Sequence, residues 1–305
     1  MHLYNKLTNA FFYGNFFAGL CAVFLCIETN VQHNLTLNGV HFYSLIFIGT
    51  AYYYTFLYLK SVPNQLINNR VLWYQNNKQT LKKTQNILLV FLIADAIFFI
   101  WKYYDAFSNL TSVKYGQILL FPLIALTYTY NILPFPKIKK LRRVGWLKPF
   151  VIGFVWSGLV SLYPIIFYQI QTDSHANFFS LPSGLLWLKN FVFISTLSIM
   201  FDLKDYEEDK SEGLKTFAVQ FGVSNTINFI IFPLVLLGLA AFTVFSIKNN
   251  FQIGRIAMNA IPYMLLIISA YSLRKKRSII YYLFIIDGLM IAKAICGIVG
   301  MLLIK

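Results

Sequence analysis

The chain has 305 residues, of which 58% are hydrophobic and 12% are charged, and its formal net charge is +15 at pH 7. A soluble domain carries about 25% charged residues, so this composition excludes an ordinary water-soluble fold. The basic residues are divided among separate connections between apolar runs and do not form one continuous groove. We therefore expect the lipid bilayer as a partner and no nucleic acid.

Nine apolar runs are long enough to cross a bilayer, which requires roughly 20 residues per helix. They cover residues 7–29, 41–59, 86–107, 116–134, 149–171, 185–203, 225–247, 256–273 and 279–304. Because the backbone has no other hydrogen-bond partner in lipid, these runs predict helices. The predicted fold class is all-α: a polytopic membrane bundle of nine transmembrane helices, forming a single intramembrane domain over residues 1–305.

The distribution of basic residues predicts the orientation of this bundle. Lys and Arg are concentrated after the second, fourth and sixth runs and before the last one. The opposite connections hold only scattered bases, which are Lys114, Lys189, Lys248 and Arg255. The positive-inside rule then predicts an integral, multi-pass membrane protein with a cytoplasmic N-terminus and a C-terminus on the opposite side.

Asp95, Asp287 and Lys293 lie inside apolar runs, where charge is expensive and is usually paired or functional. Asp95 lies in the third run, and Asp287 and Lys293 lie in the ninth. Asp287 and Lys293 are six residues apart and share no helix face, so we expect each to pair with another helix. We consider an Asp95–Lys293 contact and leave all three residues out of the predicted active site.

Acidic residues are concentrated directly after the sixth run. Six of the eleven in the chain fall within eleven residues: Asp202, Asp205, Glu207, Glu208, Asp209 and Glu212. If the helix continues at 100° per residue, the three aspartates share one face, and their mutual repulsion calls for a cation. Mg²⁺ is the natural candidate because it binds carboxylate and phosphate oxygens. The alternative is a solvated helix end whose acids pair with neighbouring lysines. Gly213 is predicted to end this helix.

The segment from Asp202 to Gly222 resembles the second aspartate motif of the UbiA family of intramembrane prenyltransferases. It reads Asp-x-x-Asp-x-x-x-Asp and continues with Gly213, Thr216, Val219 and Gly222 at the family's spacing. The resemblance implies a nine-helix enzyme that binds an isoprenyl diphosphate through Mg²⁺ and ionises its allylic carbon–oxygen bond. The isoprenyl group then passes to a hydrophobic acceptor, which is an aromatic compound or a lipid.

The chain departs from the family pattern after the second run. The family has a first aspartate motif there, whereas this chain has no acid between Glu28 and Asp95. Asn64 and Asn68 keep an i, i+4 spacing, but neutral amides are weaker Mg²⁺ ligands than carboxylates. We therefore predict one Mg²⁺ per diphosphate, bound by the intact second motif.

The resemblance also implies roles for the acidic motif and for nearby bases. Asp202 and Asp205 are the predicted catalytic residues, and together with Asp209 they are the predicted Mg²⁺ ligands. Lys and Arg side chains form charge-assisted hydrogen bonds with the negatively charged oxygens of a diphosphate. The predicted diphosphate-binding residues are Lys137, Arg70 and Lys204. Simple positive-inside anchoring is the alternative for most bases of the loop around Lys137.

Two tyrosines near the end of the second run are candidates for the prenyl-chain site. Tyr54 and Tyr58 are four residues apart and are predicted to stabilise an allylic cation by cation–π contact. Tyrosines of the membrane interface are the alternative.

Two functions follow from these patterns. The first is a prenyltransferase. The second is a catalytically degenerate UbiA homologue that binds polyprenyl or other lipid ligands or acts as a scaffold, and the missing first motif is the reason to consider it.

Overall fold

The computed structural model describes residues 2–60, 69–130, 145–172 and 181–303. Within these ranges every regular element is a helix and no strand occurs, so the predicted all-α class is confirmed. Asn64, Asn68 and Lys137 lie outside the described residues.

The first part of the chain begins with a bent helix pair. Its two arms meet at an angle of 56°, and Asn15 at the break has a left-handed φ of 61°. The helices of this part are α1 (His2–Tyr13), α2 (Phe16–Gln32), α3 (Val40–Lys60), α4 (Asn69–Asn76), α5 (Lys78–Lys102), α6 (Tyr104–Ser108) and α7 (Ser112–Tyr130).

Three of the long helices in the second part contain a π-helical turn. The helix Gly145–Thr172 consists of a 3₁₀ turn, α8 (Lys148–Ser157), a π turn (Gly158–Leu162) and α9 (Tyr163–Thr172). The following helices are α10 (Leu181–Lys204), α11 (Tyr206–Ser211) and α12 (Phe217–Phe221). The helix Val223–Lys248 comprises α13 (Val223–Thr226), a π turn (Ile227–Ile231) and α14 (Phe232–Lys248). After α15 (Ile253–Ser272), the last helix comprises α16 (Ile279–Tyr281), a π turn (Tyr282–Ile286) and α17 (Gly288–Leu303).

The predicted number of nine spans is not confirmed. Among the described residues, six helices are long and apolar enough to cross a membrane, and the bent pair α1–α2 makes a seventh if it is one broken span. The predicted runs 41–59 and 116–134 correspond to α3 and α7, which have 21 and 19 residues. Neither helix is among the six. The tyrosines of α3 lower its mean hydropathy, and the apolar part of α7, Ser112–Thr127, is too short.

The bundle is organised around two central helices. Helix α10 packs against α8 and α14, while α2 packs against α17 and α3. In contrast, α5 leaves most of its apolar surface exposed, as a helix that faces lipid does. Because α10 is central and its last turn carries Asp202, the acidic segment begins at a fixed point of the core.

A buried ionic cluster joins the first and last long helices to α10. Glu28 accepts hydrogen bonds from Lys189 at 3.0 Å and from Lys293 at 2.6 Å, and all three side chains are nearly inaccessible. Lys189 is therefore a residue of the core, and its assignment to an outer connection was wrong. The considered Asp95–Lys293 contact is also wrong, because Asp95 pairs with His41 at 2.6 Å.

Candidate active site

The end of α10 places Asp202 inside the bundle. Its carboxylate is almost fully buried, and Oδ1 accepts a hydrogen bond from Nζ of Lys148 at 2.8 Å. Lys148 is the first residue of α8, where a cation is unfavourable for the helix dipole. The attraction of the aspartates offsets that cost. The structure thus supplies a cation for the acidic face from the protein itself.

Asp205 lies at a one-residue break between α10 and α11. The predicted continuous helix is interrupted there, but the backbone N–H of Asp209 still bonds to the carbonyl of Asp205 at 2.8 Å. Asp205 and Asp209 therefore keep their i, i+4 relation. Nζ of Lys204 lies 2.7 Å from Oδ1 of Asp205, and both side chains are partly exposed. Lys204 is thus engaged with a motif carboxylate in this structure.

The environment of Asp209 changes the pKa of its carboxyl group. Its side chain is buried, and burial raises its pKa to about 6, while Lys148 opposes this shift. The negative charges of Asp202 and Asp205 raise the pKa further, and the Thr216 hydroxyl bonds to the carboxylate. A further cation near Asp209 would stabilise the ionised form of this carboxylate.

The turn after α11 fixes the position of Asp209. Gly213 ends the helix as predicted, with a φ of 69° that suits glycine. The N–H of Leu214 returns to the carbonyl of Asp209 at 2.9 Å, and the N–H of Gly213 bonds to Lys210 at 3.2 Å. Thr216 then caps α12 by accepting from the N–H of Val219.

The carboxylates of the acidic segment provide part of a Mg²⁺ site. Three buried carboxylate oxygens have no hydrogen-bond partner: Oδ2 of Asp202, Oδ2 of Asp209 and Oε1 of Glu208. Such oxygens match the ligands that a hard cation prefers. Among the described residues, however, no group of three or more acidic, His or Cys side chains is gathered closely enough to hold a metal alone. The segment fits a cation whose remaining ligands come from phosphate oxygens or water.

Arg70 is anchored within the protein. It is buried in α4, and its guanidinium donates to Oη of Tyr58 at 3.0 Å and to Oδ1 of Asn15 at 2.7 Å. A further bond goes to the carbonyl of Tyr13 at 3.2 Å, so Arg70 holds both sides of the α1–α2 break. Its Cζ lies 3.7 Å from the centre of the Tyr58 ring.

Tyr54 and Tyr58 connect α3 to the helices that carry the acidic segment and Lys148. Oη of Tyr54 accepts a hydrogen bond from Nε1 of Trp156 in α8 at 2.6 Å. Tyr58 packs in a cluster that includes Phe201, the residue before Asp202. Both tyrosines are only partly buried. The structure therefore brings these predicted prenyl-site residues to the same region as the second motif.

Lys148 is the site residue that the sequence analysis missed. It was one of several bases after the fourth apolar run, and its partner Asp202 is 54 residues away. The available signal was its place at the start of an apolar run and directly before Pro149, which is typical of a helix N-terminus. A lysine at that position is unfavourable unless an acid lies beside it.

The sequence profile of the UbiA prenyltransferase family matches residues 80–284. The chain belongs to the UbiA prenyltransferase family. The matched region contains Lys148 and the whole acidic segment, and it begins after the segment 52–70, where the first aspartate motif is missing. It ends before Asp287. Family membership makes this chain a prenyltransferase-like protein of the membrane.

The structural comparison agrees with this assignment. A solved structure of digeranylgeranylglyceryl phosphate synthase, a membrane enzyme, superimposes with a TM-score of 0.57 and 16% sequence identity. The match covers 98% of this chain and 100% of the other. At this identity the likeness establishes the UbiA fold alone. No curated protein sequence matches the chain significantly.

Proposed function

We propose that this UbiA-family protein transfers an isoprenyl group from an isoprenyl diphosphate to a hydrophobic acceptor, an aromatic compound or a lipid, within the membrane. The observation that carries the proposal is the acidic segment at the end of α10, in which Asp202 and Asp209 are buried. Its unpaired carboxylate oxygens lie near Lys148, and Phe201, the residue before Asp202, packs in one cluster with Tyr58 of α3. This arrangement provides charge for a diphosphate at one end and an aromatic lining for a prenyl chain.

Asp202, Asp205 and Asp209 are the proposed Mg²⁺ ligands. When bound, Mg²⁺ neutralises part of the negative charge of the diphosphate and of its leaving group. Lys148 already lies among these carboxylates, so its ammonium group is placed to donate to phosphate oxygens as well. Among the predicted bases, Lys137 and Lys204 are proposed to contact the diphosphate directly.

Arg70 contributes at longer range in this proposal. Its guanidinium is buried and donates to Tyr58, Asn15 and Tyr13, so it supplies a fixed positive charge. The missing first motif removes negative charge from the segment before Arg70. One Mg²⁺, supported by Arg70 and Lys137, would then take the place of two. A structure with a diphosphate analogue and Mn²⁺ tests this, and a second full metal peak beside Asn64 and Asn68 would contradict it.

The two tyrosines are proposed to act differently on the allylic cation. When the bond between C1 and the diphosphate oxygen breaks, the electron pair leaves with pyrophosphate and positive charge remains on the isoprenyl group. One face of Tyr58 is already covered by Arg70. The ring of Tyr54, whose hydroxyl is held by Trp156, is therefore the better partner for a cation–π contact.

The orientation predicted from the basic residues is part of this proposal. It places the acidic segment on the cytoplasmic side, where soluble isoprenyl diphosphate is available. Single-cysteine variants near residues 140 and 276 should react with an impermeant reagent from the same side. Labelling from opposite sides would refute the orientation.

The experiment that tests the function compares Asp202→Asn with Glu207→Gln. Both changes remove one carboxylate from the acidic segment, but Glu207 is exposed whereas Asp202 is buried. With purified protein, farnesyl or geranylgeranyl diphosphate and a panel of acceptors, Asp202→Asn should lower pyrophosphate release about 100- to 1,000-fold. Glu207→Gln should release pyrophosphate like the wild type, and EDTA should abolish release.

Diphosphate binding without pyrophosphate release, for every acceptor, would favour the second candidate function. The protein would then be a degenerate family member that binds polyprenyl or other lipid ligands, or a scaffold. The specific observation behind this candidate is the lack of acids between Glu28 and Asp95.

A further inference from the structure

Asp287 has an unusual position in the last long helix. It directly follows the π turn Tyr282–Ile286, and its N–H bonds to the carbonyl of Tyr282, five residues back, at 3.1 Å. Such turns occur frequently at functional sites. The neighbouring residues Ile286, Leu289 and Met290 are almost inaccessible, whereas Asp287 keeps accessible surface. Asp287 thus keeps part of its surface accessible among neighbours that are buried.

The carboxylate of Asp287 forms no hydrogen bond and no ion pair in the part of the chain that the structure describes. The thiol of Cys21 contacts the backbone carbonyl of Asp287, at 3.5 Å, and not the carboxylate. The positive charge of Arg70 attracts the carboxylate of Asp287. The charge of Asp287 in turn interacts electrostatically with the hydroxyl group of Tyr54. An interior carboxylate with this environment lacks a hydrogen-bond donor, which is costly unless a ligand supplies one.

The depth of Asp287 relates it to the acidic segment. Tyr282 packs against Phe201, the residue before Asp202, with ring centres 5.6 Å apart. Asp287 lies five residues farther along its helix, which corresponds to about 7 Å at the usual helical rise. Asp287 thus lies about 7 Å farther from the membrane surface than the proposed diphosphate site, within electrostatic range of Tyr54 and Arg70.

We propose that Asp287 binds a hydroxyl group of the acceptor and takes its proton during transfer, an inference that rests on the proposed function. The bond from C1 to the diphosphate oxygen breaks, and its electron pair leaves with pyrophosphate. A lone pair of the acceptor oxygen forms the new bond to C1. The hydroxyl proton passes to the carboxylate of Asp287 and then to water. The acceptor class is therefore a hydrophobic alcohol or phenol.

This assignment goes beyond the family profile, whose match ends at residue 284. It also explains why the carboxylate is kept in an apolar helix although no protein donor reaches it. Arg70 contributes positive charge near Asp287, while its guanidinium donates hydrogen bonds to Tyr58, Asn15 and Tyr13.

The first test measures transfer by Asp287→Asn, with Asp105→Asn as the matched control on an exposed position of α6. Asp287→Asn should lower turnover at least tenfold and raise the KM of a hydroxyl-bearing acceptor. The KM of the isoprenyl diphosphate and the Mg²⁺ requirement should stay unchanged, and Asp287→Glu should restore part of the turnover. Equal loss of diphosphate binding in Asp287→Asn would indicate a structural role and overturn the inference.

The second test does not depend on catalysis. Binding of 1-naphthol and of its methyl ether, 1-methoxynaphthalene, is measured for the wild type and for Asp287→Asn. The wild type should bind the hydroxyl form about tenfold more tightly, and Asp287→Asn should lose this preference. An unchanged ratio in the variant, or a wild type that binds neither probe or both equally, would overturn the inference. A wild type that prefers 1-naphthol to its methyl ether but transfers no isoprenyl group would contradict the proposed function alone.

Discussion

Lys148 and Asp202 are 54 residues apart in the chain, and a hydrogen bond of 2.8 Å joins Nζ of Lys148 to Oδ1 of Asp202. This bond ties the start of α8 to the end of α10. The same ammonium group also attracts Asp205 and Asp209. Lys148 therefore neutralises part of the charge of the acidic segment in the absence of a metal, and a bound Mg²⁺ would share the same carboxylates.

Lys148→Met should destabilise the protein without Mg²⁺, because buried Asp202 loses its cation. Removing one partner of a buried pair costs about 3–5 kcal/mol. Lys148 is 37% exposed, so we expect roughly 1–2 kcal/mol here. Thermal unfolding in detergent measures this, and Mg²⁺ should raise the Tm of the variant more than that of the wild type. Lys210→Met, at an exposed position of α11, is the control and should behave like the wild type.

The pKa of Asp209 predicts how Mg²⁺ binding depends on pH. Burial raises this pKa from 3.8 to about 6, so folding favours the protonated form and the resulting stabilisation is lost as pH rises from about 4 to 6. Mg²⁺ needs the carboxylate, so its affinity should increase as the pH rises through about 6, with about tenfold weaker binding at pH 5 than at pH 7. Titrations of the wild type and of Asp209→Asn measure this. An identical pH dependence in both proteins would exclude Asp209 as the titrating ligand.

Gly145→Ala should push the start of α8, which carries Lys148, away from the segment that follows Gly213. A methyl group at Gly145 would lie 2.7 Å from the backbone nitrogen of Thr216 and 2.8 Å from the carbonyl carbon of Lys215. Since these are backbone atoms, the start of α8 and the segment after Gly213 must move apart. We expect a loss of about 1–3 kcal/mol in the free energy of unfolding, together with lower turnover. Gly184→Ala is the control, because nothing lies within 4 Å of its added methyl group.

Glu28→Gln should be the most destabilising of these changes. It leaves Lys189 and Lys293 buried without their shared anion, and breaking a buried ion pair costs about 3–5 kcal/mol. Lys189→Met should cost less, because Glu28 then still pairs with Lys293. The order of the two Tm values checks this. A Glu28→Gln protein as stable as Lys189→Met would show that the carboxylate of Glu28 is not what stabilises the two buried lysines.

The parts of the fold that the sequence predicted are those that depend on local composition. Apolar runs predicted the helices, because a backbone in lipid has no other way to satisfy its hydrogen bonds. The acidic segment and the helix end at Gly213 could also be predicted, since both are defined by residues that are close together in the sequence. The location of the segment at the end of the core helix α10 followed from the same runs.

The remaining features depend on contacts between distant segments. Helices that are apolar on all sides show no periodic face, so the sequence did not reveal that Lys189 points toward Glu28. The partner of Lys148 was equally hidden. The sequence also predicted a partner on another helix for Asp287, whereas its carboxylate forms no hydrogen bond or ion pair among the described residues, and composition gives no sign of the π turn that precedes it.

The bond between Glu28 and Lys293 spans 265 residues, which has a consequence for biosynthesis. During translation the helix with Glu28 enters the membrane long before either lysine is made, and a charge at the centre of a lone helix costs about 2.5–3.5 kcal/mol. Lys189 arrives in the second half of synthesis and Lys293 at its end. Glu28 thus has no cationic partner in the nascent chain until the helix with Lys189 is inserted, and a ribosome that stops before that point releases a product that cellular quality control can recognise.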